Sequence, residues 1–215
     1  MLNEKGCRCS REEVRAKVLE AAAKAFSEQG IKNVRMDDIA NSISISKRTL
    51  YELFSDKEHL LKEVFLAHHK EMLEYIAKVV SGADNVLEII FAFYKRKLGE
   101  LGQTNPSFLR DLRKYPNVIE FMKEARRESD KDASVYFQKG VEQGIFRSDI
   151  NFEIINQATM MQLEMLIYSN LTDNYPLPEI YSEITILHMR GITTEKGQKM
   201  VDEFLASMKN SDKNY

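Results

Sequence analysis

Helix-breaking residues are scarce in this chain, and that scarcity limits its fold more than any other feature. Four prolines and nine glycines punctuate 215 residues. The intervals between them carry apolar side chains at helical spacing, with no stretch of strict alternation that would mark a strand. Val14, Val18, Ala21, Ala25 and Phe26 follow an amphipathic i, i+4, i+7 pattern that Gly30 ends. The spacing predicts two short helices over MDDIANSI and KRTLYELF, joined by the turn SIS. A long helix then opens near Lys57, with Leu61, Val64, Phe65, His68, Met72, Ile76 and Val79 on one stripe, and SGADN interrupts it. Further helices are expected from Val86 to about Gly102, between Pro106 and Pro116, and in two pieces from about Val118 to Val141. Others follow from Phe152 to about Leu171, near 178–190 and near 195–209. The class is all-α.

Two short helices joined by a tight turn and packed on a third make a helix-turn-helix. Ile39, Ala40, Ile43, Ile45, Leu50 and Phe54 can close its small core with Val18, Ala22 and Phe26, and Ala40 is small enough to let two helices cross closely. With those residues inward, Ser46, Lys47, Arg48, Thr49 and Tyr51 remain at the N-terminal end of the second short helix, the end that enters a major groove. Arg35 precedes the first short helix, and Lys57 opens the helix beyond, where it can hold a neighbouring phosphate. Lys and Arg supply charge, the hydroxyls supply directed hydrogen bonds, and Arg can read guanine bidentately. A solvated helix surface carries Lys and Arg too. What separates the readings is the coincidence of turn, small buried residue and cations in one frame.

Arrangement matters here because quantity does not suffice. The formal net charge is -2, which argues against a general polyanion binder. The first 62 residues hold 12 Lys and Arg against 10 Asp and Glu, and the remainder 19 against 23. Cys7 and Cys9 lie too close together and too near the start to staple a fold, which fits a reducing compartment. They fall in an expected flexible tail, residues 1–10, without further metal ligands nearby. MLNEKGCRCSREE has no apolar signal-peptide core, and VLEIIFAFY is far short of the roughly 20 residues a membrane helix needs. A cytoplasmic protein with no membrane partner is expected.

The stretch MDDIANSISISKRTLYELFSDKEHLL resembles the DNA-binding signature of the TetR family of bacterial transcriptional regulators. The resemblance rests on Asp38-Ile39-Ala40, Ser46, Leu50-Tyr51, Phe54, Lys57-Glu58 and Leu60-Leu61, with FSEQGIKNVRMDDIA matching upstream. Downstream, GVEQGIFRSDIN and LHMRGITTEKG look like segments common in the regulatory domains of such proteins. Three positions depart from the family's pattern. Ser44 stands where Gly is frequent at the turn, Leu53 where an aromatic or His is common, and Arg35 where Ser or Thr often caps the helix. Ser44 carries a conformational cost if the turn requires a positive φ.

The resemblance implies a helix-turn-helix DNA-binding domain over residues 11–56 and a helical ligand-binding and dimerisation domain over 57–215. It implies a homodimer on a palindromic operator in double-stranded DNA, acting as a repressor released by a small effector. In FEIINQATMMQLEMLIYSNL, Ile154, Ala158, Met161, Met165 and Tyr168 form one apolar stripe, while Ile155, Leu163, Leu166 and Ile167 spread apolar character to other faces. A helix of this kind is buried on more than one side. Core contacts on one face and a partner subunit on the other would satisfy it. The expected interface set is Leu163, Leu166, Ile167, Ile180, Ile184 and Leu187. Phe93, Phe108, Tyr136, Met160 and Met161, with His68, Tyr94 and Gln157 aimed inward, would form a pocket for a largely apolar molecule. The same Met and aromatic residues serve equally as plain core.

No nucleotide-binding glycine loop, nucleophile elbow or zinc spacing occurs, so no catalytic residue, metal or cofactor is expected. His68 and His69 are adjacent and diverge by about 100° on a helix. The competing reading is a helical protein-interaction module whose DNA contacts have decayed, suggested by Ser44 and Leu53.

Overall fold

The computed structural model describes residues 10–129 and 133–211. The expected tail with Cys7 and Cys9 lies outside the described residues. Within them the secondary structure is helical, with one isolated bridge between Phe146 and Thr193. The helices are α1 (Arg11–Gln29), α2 (Met36–Ser42), α3 (Lys47–Leu53), α4 (Lys57–Val80), α5 (Val86–Gly102), α6 (Ser107–Leu112), α7 (Pro116–Ser129), α8 (Ala133–Glu142), α9 (Phe152–Tyr168), α10 (Leu171–Asn174), α11 (Leu177–Ile192) and α12 (Glu195–Ser211). The backbone forms two compact units. The first extends to Met72 and takes in Gln103–Ala125; the second comprises Leu73–Gly102 and resumes at Arg126.

In the first unit, α1 is started by a capping box. Ser10 Oγ accepts from the Glu13 N–H, and the Glu13 carboxylate accepts from the Ser10 N–H. Val18, Ala22 and Phe26, four residues apart, present one fully buried face. Gly30 ends the helix at φ 79, and a Cβ there would run into the Ser107 hydroxyl. Ile39, Ala40, Leu50 and Phe54 are buried, as expected of the small core; Ile43 and Ile45 are half-buried. Leu60, Leu61, Leu109, Leu112, Val118 and Ile119 extend it. Asn105 and Asp111 tie the end of α1 to α6: the Asn105 N–H donates to Ser27 O at 2.8 Å, and Asp111 Oδ2 accepts from the Lys32 N–H at 2.6 Å.

The second unit is built on a cluster of Val86, Leu87, Tyr94, Ile145, Phe146, Met189, Ile192 and Val201. Phe91 stacks on Phe204 with centroids 3.9 Å apart. The two downstream segments noted in the sequence meet each other. The Arg147 N–H donates to Ile192 O and the Thr194 N–H to Ile145 O, both at 2.9 Å, around the Phe146–Thr193 bridge. Arg147 also pairs with Asp149 and donates to Gly191 O.

Helix α9 reverses the expected assignment of its faces. Leu166 and Ile167, expected at a subunit interface, are buried within the chain, as is Ile180 of α11. Leu163 and Ile184 are half-buried. The apolar stripe, of which Met161 was expected in a pocket, faces outward: Ile154 is 62% exposed, Met161 65% and Tyr168 56%. Two half-buried polar residues of α9, Thr159 and Gln162, have partners. Thr159 Oγ1 donates to Ile155 O at 2.9 Å, and Gln162 Nε2 lies 2.9 Å from His188 Nδ1. Satisfied in this way, they carry little penalty for leaving water.

Candidate nucleic-acid interface

The turn between α2 and α3 sets the site. The Ile45 N–H donates to Ala40 O and the Ser44 N–H to Asn41 O, the paired bonds of a Schellman ending. That ending requires a left-handed residue, and Ser44 supplies it at φ 55. The chain then extends through Ser46, whose hydroxyl caps α3 by accepting from the Thr49 N–H at 3.0 Å. The two hydroxyls of Ser46 and Thr49 also bond to each other at 2.8 Å. Behind this tip, Leu50 is wholly buried, with Ile39 and Ala40 beside it in the core.

Lys47, Arg48 and Tyr51 project into solvent from the same short helix. Their cations are not bare. Lys47 Nζ pairs with Asp37 in the first turn of α2, and Arg48 Nε pairs with Glu52 Oε1 at 2.8 Å one turn along α3. Hydrogen bonding to those carboxylates raises the pKa of both cations. Arg35 is exposed at the start of α2, where its backbone N–H donates to Asp38 Oδ2 at 3.0 Å. Its place at the cap is thus served by Asp38 reaching back, not by its own side chain. Lys57 differs from the outward set. Its ammonium lies 5.9 Å from the Phe26 ring centroid, and burial lowers its pKa against the pull of Asp111 and Asp38.

Sequence reasoning missed the two carboxylates and Arg11. Glu52 was legible, since four residues separate it from Arg48 on a helix. Asp37 was not, because its approach to Lys47 depends on the crossing of α2 and α3. Arg11 Nη2 donates to Glu52 O at 3.3 Å, a cation at the carbonyl end of α3.

The expected effector-pocket residues divide between the units. In the first, His68 and Phe108 are half-buried, and the Phe108 ring lies 6.0 Å from that of Phe65. In the second, Tyr94 is buried with its hydroxyl 2.7 Å from Ser182 Oγ and its ring stacked near Tyr181. Phe93 is half-buried; Tyr136 on α8 is exposed, and so are Gln157 and Met161, which lie on the outward face of α9. The Met160 side chain lies outside the described residues. A surface cleft of about 390 Å³ in the second unit is lined by Asp84, Asn85, Gln143, Ile145, Lys196 and Met200, none of them in the expected set. Among the described residues no three His, Cys, Asp or Glu side chains gather as a metal site, and no helix is long and apolar enough to cross a membrane.

A helix-turn-helix with an exposed, hydroxyl-flanked cationic tip, carried on an all-helical chain, defines the class of helix-turn-helix DNA-binding proteins. Residues 18–64 match the model of bacterial regulatory proteins of the tetR family, and this helix-turn-helix belongs to that family. An uncharacterized HTH-type transcriptional regulator, YhgD of Bacillus subtilis, is 34% identical over 89 residues, which span 39% of this chain and 47% of that protein. The HTH-type transcriptional repressor KstR2 of Mycobacterium tuberculosis is 22% identical over 156 residues, 66% of this chain and 73% of the relative. The fold is shared with a solved TetR-family regulator from Agrobacterium tumefaciens, at TM-score 0.68 and 14% identity, over 86% of this chain and all of that one (100%).

Proposed function

We propose that this chain is a homodimeric transcriptional regulator working in the cytoplasm as a repressor, which binds a palindromic operator and is released by a small, largely apolar effector. The observation that carries the reading is the tip of α3, where Ser46, Lys47, Arg48, Thr49 and Tyr51 stand at the entrance of a helix whose back is locked by Leu50. Helix N-terminal side chains of this kind meet base edges in a major groove, with cations on the flanking phosphates. KstR2, a repressor by name, supports the sign of regulation.

The outward stripe of α9 supports pairing. Ile154, Ala158, Met161, Met165 and Tyr168 recur at intervals of four and three, the spacing by which two helices pack along a seam. Leu187 on α11 is 71% exposed as well. A second copy of the chain would cover such a face, and a two-fold dimer would read two half-sites about 34–36 Å apart or a multiple of that distance. An effector that favours the unbound conformation weakens operator binding, and the operator weakens effector binding by the same factor.

The test is binding of the full chain to duplexes recovered by selection from random DNA, across a salt series. Affinity should fall steeply, log K dropping by about 0.9 for each phosphate neutralised. Failure of any duplex to be enriched, or a salt-independent affinity, would favour a protein-interaction module instead.

A further inference from the structure

Two carboxylates hold the reading head's cations from positions that complete no helix cap. Asp37 shares the first turn of α2 with Asp38, and it is Asp38 that completes the cap by accepting the Arg35 N–H. Glu52 contributes its backbone oxygen to Arg11, while its side chain pairs with Arg48. All four partners are wet: the side chains of Lys47 and Asp37 are 63% and 40% exposed, those of Arg48 and Glu52 88% and 58%. Exposed pairs of this kind add little to stability, so folding does not explain them. Their position does, because a phosphate approaching α3 meets a carboxylate's negative charge beside each cation it takes.

We infer that Asp37 and Glu52 are resident counter-ions that discriminate against non-operator DNA. The inference rests on the DNA-binding reading of α3. Binding to arbitrary sequence is almost wholly an attraction between cations and phosphates, so a competing carboxylate weakens it directly. An operator lets a cation meet a neutral base edge in place of a phosphate, and a neighbouring carboxylate opposes that edge far less than it opposes an anion. The two carboxylates therefore lower affinity everywhere but lower it most where each cation meets a phosphate, and the ratio of operator to non-operator affinity rises.

The experiment measures fluorescence anisotropy of the full chain with a selected duplex and with a scrambled duplex of the same composition. Asp37→Asn and Glu52→Gln should each tighten binding to the scrambled duplex by about two- to five-fold, the range of an exposed ion pair, and tighten the selected duplex less. Glu20→Gln, at an exposed position on α1, changes net charge equally and sets the contribution of charge alone. In a Lys47→Ala background the gain from Asp37→Asn should vanish, as should that from Glu52→Gln in Arg48→Ala. Gains no larger than that of Glu20→Gln, gains that persist without the cation, or equal gains on both duplexes would overturn the inference. Wild-type chain that binds neither duplex would instead overturn the DNA-binding reading on which it stands.

Discussion

Ser44 and Gly144 occupy the same position in two helix endings of one design. At the end of α2, Ser44 sits at φ 55 while the Ile45 N–H reaches back to Ala40 O. At the end of α8, Gly144 sits at φ 67 while the Ile145 N–H reaches back to Gly140 O. Glycine adopts that conformation freely, whereas an L side chain holds it at a cost of roughly 1–2 kcal/mol. Ser44→Gly should relieve that cost, offset in part by the greater freedom of glycine in the unfolded chain. A net gain of up to about 1 kcal/mol is expected, read as a higher denaturant midpoint at unchanged slope. The reciprocal Gly144→Ala should lower the midpoint.

Ala40 lies wholly buried where α2 turns toward α3. Ala40→Leu adds three carbons to a filled space and should cost about 1–3 kcal/mol. Duplex affinity should fall with it, because the α3 tip depends on that packing for its direction. Circular dichroism melts and anisotropy on the same preparation check both effects.

Arg48→Ala removes an exposed cation with no buried surface. Stability should change little, while duplex affinity falls and the salt slope flattens by about 0.9 if Arg48 serves one phosphate. If Arg48 reads a guanine, a fresh selection should return a relaxed base at one position of each half-site.

Tyr181 gives the second unit a dependence on pH at the alkaline end. Burial pushes its phenol up to about 12, with Thr185 acting in the opposite direction by hydrogen bonding. An acid whose folded pKa exceeds its unfolded value keeps its proton longer in the native state. The associated stability is present below about pH 10, the ordinary value for tyrosine, and is lost as pH rises towards 12. Absorbance titration of tyrosinate should show a phenol ionising near 12 that disappears in Tyr181→Phe, while Tyr115, which burial also raises, remains.

Met161 projects from the outward stripe of α9. Met161→Glu would place a charge on the proposed seam and should convert dimer to monomer in sedimentation, with helix content retained. Duplex affinity should fall with it, since two half-sites no longer act together.

The helix-turn-helix was legible because its logic is local. Spacing marks Val18, Ala22 and Phe26, a small residue marks the crossing at Ala40, and what remains outward is the cationic tip of α3. The positive φ of Ser44 was visible as a conditional cost and is realised in the turn. Lys57 illustrates what local logic misses: its four-carbon stem allows the ammonium to lie over Phe26, and only the tertiary arrangement selects that placement. α9 shows the same limit at larger scale. Apolar residues surround it, so periodicity names no unique inner face, and Gln162, polar by composition, is held inward by His188. The short α10 also escaped notice, since four residues are too few to establish a period.

The clasp at Phe146 and Thr193 joins two loops that are far apart in sequence. The Arg147 and Thr194 amides donate across it in opposite directions, each to the loop that carries the other. Neither amide can meet solvent unless the loops part, so both protons should exchange with deuterium in a single opening event. The corner after α8 and the corner after α11 then behave as one hinge leaf.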